Sequence, residues 1–419
     1  MLERDVDAET GAAAHVWSAI PIGDGGVAGA IPVFRRIFTV RGAPQAALLR
    51  VTFLGVGRVE INGVPVTEDV LEPGWQSYTH RLLYRTYDVA DMLTAGQNII
   101  TAEVAPGWFS GRLGFLRQRE IYGATRGVIA ELDITTADGQ QHVRTDESWE
   151  WSPGATLCAD LYDGETFDAR VTEESRRWVP ATPVDFDTAH LEEAAAPPVR
   201  RIETLQPLGI LHTPSGKTIV DFGRNIVGWT RLRVSGARGT EIELRHAEVL
   251  EGGELGSRPL RTARATDRYV IGGSGEEVWE PAFTYHGFRY VEVSGWPDDA
   301  LLEGIEAVVL FSDMRRTGWF RTSNRLLAQL HANVVASTVG NFISIPTDCP
   351  QRDERLGWTG DIALFAPTAL FLFDASDFLQ SWLRDVALEQ REDGRIPIFV
   401  PEVPFEESIA RSVAQFGGV

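Results

Sequence analysis

Apolar and polar residues alternate with a period of two along most of the chain up to about residue 310, in short runs broken by Gly, Asn, Asp and Pro. Such alternation indicates strands with one buried and one solvated face, and short strands between such breakers are typical of antiparallel β-sandwiches. The clearest predicted hairpin is RVEINGVPV, where Asn62 and Gly63 accept the positive φ angles of a tight turn.

A second β region is predicted after residues 192–201, an Ala- and Pro-rich stretch that indicates a linker. In TRLRVSG, Leu232 and Val234 alternate with arginines, and in TEIELRHAEVL, Ile242 and Leu244 alternate with polar residues. FTYHGFRYVEV continues the pattern. These runs predict half-buried strands of one sheet.

Near residue 313 the period changes to about 3.6, which predicts helices. Ser323 is the predicted N-cap of a first helix. Its apolar stripe contains Leu326, Leu327, Leu330, Val334 and Val335. Asp374 is the predicted N-cap of a second helix, which Gly394 would end before Pro397. Its stripe contains Phe378, Leu379, Trp382, Leu383 and Val386.

These patterns divide the chain into four predicted parts. They are a lead-in at 1–30, a first β-sandwich at 31–190, a second β-sandwich at 191–312 and a helical part at 313–419.

The 419-residue chain has a formal net charge of −20, so nucleic acid and anionic membranes would be repelled on average. This charge does not exclude neutral partners such as sugars, and a net negative charge can also serve only to keep a protein soluble. Cys158 and Cys349 are the only cysteines, which argues against a disulfide framework or a cysteine metal site. The N-terminus lacks the apolar run of a signal peptide, and no other stretch is apolar enough to span a membrane. We therefore predict a cytoplasmic protein.

The segment DCPQRDERLGWTGD, residues 348–361, concentrates carboxylates, arginines and one indole between the two predicted helices. Glycosidic hydrolysis uses one carboxylic acid to protonate the leaving oxygen and a second carboxylate as nucleophile or base. An indole face can pack against a pyranose ring. A carbohydrate site would use Asp348, Asp353, Glu354, Trp358 and Asp361.

The same segment also suits a purely structural connector. In that case Arg352 and Arg355 pair with Asp353 and Glu354, and Trp358 fills the core, because ion pairs of this kind need no function. The residue types alone leave both interpretations open.

The longer run FISIPTDCPQRDERLGWTGD resembles the signature of bacterial α-L-rhamnosidases, glycoside hydrolase family seventy-eight. Further resemblance lies in NGVPVTEDVLEPGW, YRTYDVADML, PGWFSGRLGF and LYDGETFDAR in the first β region. In the second β region it lies in RHAEVLE, ATDRYVI and EPAFTYHGFRYVEV. The resemblance covers nearly the whole chain and implies an enzyme that removes terminal α-L-rhamnose with inversion of configuration.

By this resemblance Glu354 is the general acid, Asp348 and Asp361 hold the sugar hydroxyls, and Arg352 and Trp358 shape the pocket. The implied fold is multidomain β plus α, with two antiparallel β-sandwich domains followed by the first helices of an (α/α)6 barrel. The implied partner is a rhamnose-containing glycoside or oligosaccharide. We expect no cofactor and no metal, and the oligomeric state is not predicted.

The chain departs from the family in its helical part, because the residues after Arg315 provide only about a third of such a barrel. The family's general base lies beyond the matching segments. Glu402, Glu406 and Glu407 lack the surroundings of that base, and we expect them in a solvated loop or at a helix start. This chain alone is therefore expected to be inactive or weakly active.

Two other functions stay open, a noncatalytic carbohydrate-binding protein and a different (α/α)6-barrel glycosidase. PGWFSGRLGF could stack on a sugar, although a tight turn with Trp108 in the core is favoured. His246 and His286 lie in strand patterns and are expected to be structural. The acidic residues at 160–168 are too loosely spaced to predict a calcium loop.

Overall fold

The computed structural model describes residues 15–27, 29–297 and 301–405. Strands make up most of the regular structure before residue 313, and the longer helices follow it, as the change of period predicts.

The first β region forms two sheets that face each other across one core. Within the described residues, sheet 1 has seven strands, and Gly139–Arg144 pairs at the side of Gly127–Thr136. The other six strands lie in the order Thr182–Pro183, Ile22–Gly23, Gly127–Thr136, Pro44–Leu54, Leu82–Asp88 and Leu191–Glu193. Over the same residues, sheet 2 runs in the order Val179–Pro180, Glu150–Pro153, Pro32–Val40, Gly96–Ala105, Val56–Ile61 and Val64–Pro65. Inward side chains of both sheets share one buried cluster, which makes this region a β-sandwich.

The predicted hairpin lies at the edge of sheet 2. Ile61 pairs with Val64 in antiparallel register, and the two residues between them, Asn62 and Gly63, have φ angles of 54° and 78°. Both angles are positive, as a type I′ turn requires, so the prediction is confirmed.

Most strands of the second β region belong to one sheet, sheet 3, which has ten strands among the described residues. The second β-sandwich at 191–312 stays a prediction. The main path runs Thr156–Asp160, Gly164–Asp168, Thr266–Val270, Glu241–Ala247, His286–Ser294, Thr218–Ser235, Ile305–Ser312 and Val199–Leu205. Gly209–His212 and Glu276–Trp279 also pair with Thr218–Ser235. The predicted alternation is confirmed, because Leu232, Val234, Ile242 and Leu244 are buried.

One hairpin of sheet 3 comes from the first β region. The strand Gly164–Asp168 pairs in parallel with Thr266–Val270, although it precedes the predicted boundary at residue 190. The two β regions therefore share a sheet. The predicted linker is also partly regular, because Leu191–Glu193 and Val199–Leu205 are strands.

Five α-helices lie within the described ranges, besides four short 3-10 turns. They are α1 (Gly107–Ser110), α2 (Leu301–Gly304), α3 (Arg325–Asn341), α4 (Thr359–Leu372) and α5 (Ser376–Leu388). Two small hairpins complete the structure, Leu250–Glu251 with Glu254–Leu255 and Phe342–Ile343 with Ile345–Pro346.

The predicted start of α3 is wrong by one residue. The N-cap is Asn324, not Ser323, because the Asn324 side chain accepts hydrogen bonds from the backbone N–H groups of Leu326 and Leu327 at 3.0 and 3.3 Å. The stripe predicted to be buried also faces outward at this end, where Leu326 is 82% exposed.

The predicted cap and end of α5 are wrong. Asp374 pairs with Arg315 at 2.9 Å, and α5 begins after Ala375. The helix ends at Leu388, and Gly394, with a φ of 85°, lies in the turn that follows. Helix α4 was not predicted, because its residues are almost uniformly apolar and show no helical period.

The largest buried cluster lies where the β regions meet the helices. It contains side chains from all parts of the chain, among them Trp75, Trp108, Trp229, Phe311, Leu356, Trp382 and Phe399. Trp108 is 3% exposed, which confirms its predicted place in the core. This cluster fixes the segment 348–361 against both β regions. None of the described helices is long and apolar enough to cross a membrane.

Candidate functional site

The segment Asp348–Asp361 connects the small hairpin after α3 to the start of α4. Two hydrogen bonds between Asp348 and Leu356 join the two ends of the loop in this segment. The backbone N–H of Asp348 donates to the Leu356 carbonyl at 3.1 Å, and the Leu356 N–H donates to Asp348 Oδ1 at 3.0 Å. Leu356 is fully buried in the large cluster, so the loop between these residues is anchored at its base.

Glu354 lies inside this loop and is 6% exposed. Arg352 Nε donates to its Oε2 at 2.8 Å, and Arg261 Nη1 lies 2.9 Å from the same oxygen. No hydrogen bond from the described residues reaches Oε1. One oxygen of the carboxyl group is therefore fixed by two guanidinium groups, and the other is left for a different partner.

Asp348 is joined to Glu354 through Arg352, whose Nη2 donates to Asp348 Oδ2 at 3.2 Å. Burial raises the pKa of the Asp348 carboxyl from its ordinary value near 3.8 to about 6, and the negative charge of Glu354 adds to this rise.

Ligand atoms of Asp348, Cys349 and Glu354 lie within 4.8 Å of one another, a spacing that could suit a cation. However, the Arg352 guanidinium already bridges both carboxylates and supplies the positive charge there. These residues therefore do not favour a metal ion, and the expected absence of one stays a prediction.

A cavity of about 530 Å³ lies between the end of α3 and the start of α4. Asp348 and Asp361 contribute to its lining, together with apolar side chains that include Phe342, Ile362 and Phe365. Asp361 is exposed in the first turn of α4, where the helix dipole stabilises a negative charge. Carboxylates beside apolar side chains are a suitable lining for a sugar.

Trp358 is not among the residues that line this cavity. Its ring is half-buried and meets Phe399 edge to face at 5.3 Å and Phe115 at 6.5 Å. Its Nε1 is buried and has no hydrogen-bond partner among the described residues. The structure therefore brings Asp348, Arg352 and Glu354 together. Asp361 lines the same cavity as Asp348. Trp358 instead packs in an aromatic cluster.

The connector interpretation is correct for part of the segment. Arg352 pairs with Glu354, as that interpretation requires, but Arg355 pairs with no carboxylate of the residues that the structure describes. Arg355 is 1% exposed, and its Nη1 donates to the carbonyls of Leu161 and Tyr285 at 2.8 and 2.9 Å. It therefore ties the segment to both β regions.

The β regions also hold the residues around Glu354. The hydroxyl of Tyr162 donates to the Glu354 carbonyl at 3.0 Å, and the hydroxyl of Thr262 donates to the Asp353 carboxylate. Sequence reasoning missed these contacts and Arg261, because the partners are 192 and 91 residues apart and follow no periodic pattern.

The other candidates lie away from this site. Glu402 pairs with Arg391 at 2.6 Å in an exposed position, and Glu406 and Glu407 lie outside the described residues. His246 and His286 are fully buried and stacked at 4.4 Å, and His286 Nε2 lies 3.0 Å from Asp267 Oδ2. The predicted structural role of the two histidines agrees with this burial.

Three family models match consecutive parts of the chain. They describe an alpha-L-rhamnosidase N-terminal domain at residues 42–203, a bacterial alpha-L-rhamnosidase concanavalin-like domain at 211–311 and a bacterial alpha-L-rhamnosidase 6 hairpin glycosidase domain at 315–414.

Curated relatives agree with these models. The chain is 39% identical over 382 residues to an alpha-L-rhamnosidase of Streptomyces avermitilis, a match that covers 88% of this chain and 37% of that protein. It is 36% identical to an alpha-L-rhamnosidase of Formosa agariphila over 92% of this chain and 44% of that protein. The chain thus spans less than half the length of these relatives.

Solved structures show the same likeness. The alpha-L-rhamnosidase of Aspergillus terreus matches with a TM-score of 0.89 and 42% identity, over 92% of this chain and 47% of that one. A Streptomyces avermitilis alpha-L-rhamnosidase in complex with L-rhamnose matches with a TM-score of 0.86 and 38% identity, over 90% and 38%.

Proposed function

We propose, from the premise that the chain belongs to the bacterial α-L-rhamnosidase family, that it carries the proton-donor side of an inverting α-L-rhamnosidase site. The reaction would remove terminal α-L-rhamnose from a glycoside or oligosaccharide.

The observation that carries this proposal is the connection between the cavity and Glu354. Asp348 lies on the cavity lining, and Arg352 joins its carboxyl group to that of Glu354. A sugar that contacts Asp348 and Asp361 would therefore lie near the carboxyl group of Glu354, because Arg352 hydrogen-bonds to both Asp348 and Glu354.

Each side chain then has a role that fits its contacts. Glu354 would protonate the leaving oxygen from Oε1, while Arg352 holds Oε2 in place. Asp348 and Asp361 would accept hydrogen bonds from sugar hydroxyls, since a carboxylate offers several acceptor sites. We propose that Trp358 shapes the pocket indirectly, through its packing with Phe399.

Inversion needs a second carboxylate roughly 6.5 to 9.5 Å from the acid, so that a water molecule fits between them. We assign that base to no described residue. Glu402 is a poor choice, because it is exposed and paired with Arg391.

We also propose that α3, α4 and α5 belong to an (α/α)6 barrel. Their outer faces carry large apolar side chains in contact with solvent, such as Leu326 at 82%, Leu364 at 85% and Phe371 at 55% exposure. Apolar patches of this kind are normally covered. Further helices of the barrel would cover them.

The test is Glu354→Gln in the complete enzyme that contains this chain, assayed with phenyl α-L-rhamnoside, whose leaving group needs protonation. Loss of general acid catalysis should lower kcat by roughly 10²- to 10⁴-fold, while rhamnose binding is retained. Glu402→Gln is the matched control and should keep full activity, since Glu402 lies in an exposed ion pair.

Three results would contradict the proposal. Unchanged turnover in Glu354→Gln would remove this residue from the role of acid. Preference for another sugar in a panel of aryl glycosides would favour a different (α/α)6 glycosidase. Rhamnose binding without turnover by the parent enzyme would favour a carbohydrate-binding protein. Proton NMR of the first-formed rhamnose tests inversion, which predicts the β anomer.

A further inference from the structure

Arg261 reaches the candidate acid from the second β region. It follows the short helical turn Arg258–Leu260, in the loop that leads to the strand Thr266–Val270. Its Nη1 lies 2.9 Å from Glu354 Oε2, the same oxygen that accepts a hydrogen bond from Arg352.

The loop holds Arg261 in an unusual backbone conformation. Its φ angle is 56°, a positive value that residues with a Cβ rarely adopt. Such a conformation persists only where the surroundings enforce it, and it occurs more often at functional sites. The neighbouring hydroxyl of Thr262 donates to the carboxylate of Asp353. Two successive loop residues thus bind two successive residues of the site segment.

The side chain itself is only partly covered. The guanidinium of Arg261 lies over the ring of Phe115, 5.7 Å from its centroid, and the side chain is 45% exposed. Glu354 is buried in this pair, with 8% of its side chain exposed, but solvent around the exposed Arg261 screens the interaction and weakens its contribution to stability. Its geometry is nevertheless specific, because it fixes Oε2 and leaves Oε1 without a partner among the described residues.

We propose that Arg261 is a positioning residue for Glu354, contributed by a β region to the site in the helical part. Together with Arg352 it holds Oε2, so that Oε1 points to the leaving oxygen of the glycoside. This inference rests on the proposed function, since it gives Arg261 a role only if Glu354 donates the proton.

The role predicts a dependence on the leaving group. A dinitrophenolate departs without protonation, whereas a phenolate without electron-withdrawing groups needs the acid. A residue that only positions the acid therefore matters for the second substrate and hardly for the first. A residue that only stabilises the fold would affect both substrates equally.

The experiment compares Arg261→Ala and Arg261→Lys in the complete enzyme, with 2,4-dinitrophenyl and phenyl α-L-rhamnosides. We expect Arg261→Ala to lower kcat on the phenyl substrate by roughly 10- to 100-fold, because a misplaced catalytic group costs about this much. KM and the rate on the dinitrophenyl substrate should change by less than about threefold. Arg261→Lys should recover part of the loss, because a lysine ammonium can still reach one oxygen.

Arg258→Ala is the matched control. Arg258 belongs to the same loop, is 86% exposed and pairs with Glu251 instead of the site. It should leave both rates unchanged. Thermal unfolding of all variants shows whether they are folded.

Equal losses on both substrates, or no loss on the phenyl substrate, would overturn the positioning role. If Glu354→Gln impairs the phenyl substrate but Arg261→Ala does not, only the role of Arg261 is wrong. If Glu354→Gln leaves both rates unchanged, the proposed function itself is wrong.

Discussion

A buried ion pair between Arg81 and Asp385 joins the first β region to α5. Arg81 Nε donates to Asp385 Oδ1 at 2.7 Å, and Arg81 Nη2 donates to Oδ2 at 2.8 Å, so the pair is bidentate. The two side chains are 4% and 2% exposed. The N–H of Ser77 also donates to Oδ1, at 3.2 Å. We predict that this pair controls the docking of α5.

The perturbation is Arg81→Met, which keeps most of the side-chain volume and removes the charge. It leaves the Asp385 carboxylate buried without its partner, and breaking a buried pair in this way costs about 3 to 5 kcal/mol. At about 1.4 kcal/mol for each factor of ten, the local opening of α5 should become more frequent by roughly 10²- to 4 × 10³-fold.

Hydrogen exchange of peptides that cover Ser376–Leu388 measures this opening directly. Arg384→Met is the matched control, because Arg384 also lies on α5 but forms an exposed pair with Glu192 at 3.1 Å. It should change the opening free energy by less than about 1 kcal/mol. The double variant Arg81→Met with Asp385→Leu should regain much of the loss, because neither charge is then left unpaired. If Arg81→Met exchanges no faster than the control, the reasoning is refuted.

Three further predictions concern the site segment. Because the folded-state pKa of Asp348 is raised to about 6, its stabilising contribution is present at low pH and is lost as the pH rises through 6. The free energy of unfolding of Asp348→Asn, measured with urea, should therefore rise relative to that of the parent protein by up to about 3 kcal/mol as the pH rises from 4 to 7. A difference between the two proteins that does not change with pH would contradict this. Arg355→Ala removes two charge-assisted hydrogen bonds worth about 1.5 to 3 kcal/mol each, so it should lower the urea midpoint strongly, with partial recovery in Arg355→Lys; an unchanged midpoint would disprove its anchoring role. In Gly357→Ala the new Cβ would lie 2.2 Å from the carbonyl oxygen of Val400, so we expect a loss of about 1 to 3 kcal/mol, and an unchanged Tm would refute this close contact.

Local signals in the sequence predicted local structure well. The Asn62-Gly63 dipeptide specified a turn, and alternation at Leu232 and Val234 specified which side chains are buried. Both depend on interactions between residues that are close in sequence, so a short window contains the necessary information.

The helical part was predicted less well, because its environment depends on distant residues. Asn324 and Ser323 are both good N-caps, and only the backbone geometry selects Asn324. The apolar residues of α4 show no period because this helix has apolar side chains all around it, from buried Ile362 to exposed Leu364.

The candidate site was predicted in part. The spacing within residues 348–361 identified the cluster of Asp348, Arg352 and Glu354, because all three come from one short segment. The predicted pocket role of Trp358 was not evident from its packing, and Arg261 could not be predicted, since its contact with Glu354 depends on how sheet 3 meets the helices.

The central claim is that Glu354 donates a proton to a rhamnoside seated against Asp348 and Asp361. The most direct measurement is the distance from Glu354 to the glycosidic oxygen in a crystal structure of the complete enzyme with a bound, uncleaved α-L-rhamnoside analogue. We predict that Glu354 Oε1 lies within about 3.2 Å of that oxygen or reaches it through one water molecule, with the aspartates at the sugar hydroxyls. A sugar bound in another cavity, with Glu354 Oε1 out of reach of its glycosidic oxygen, would contradict the claim.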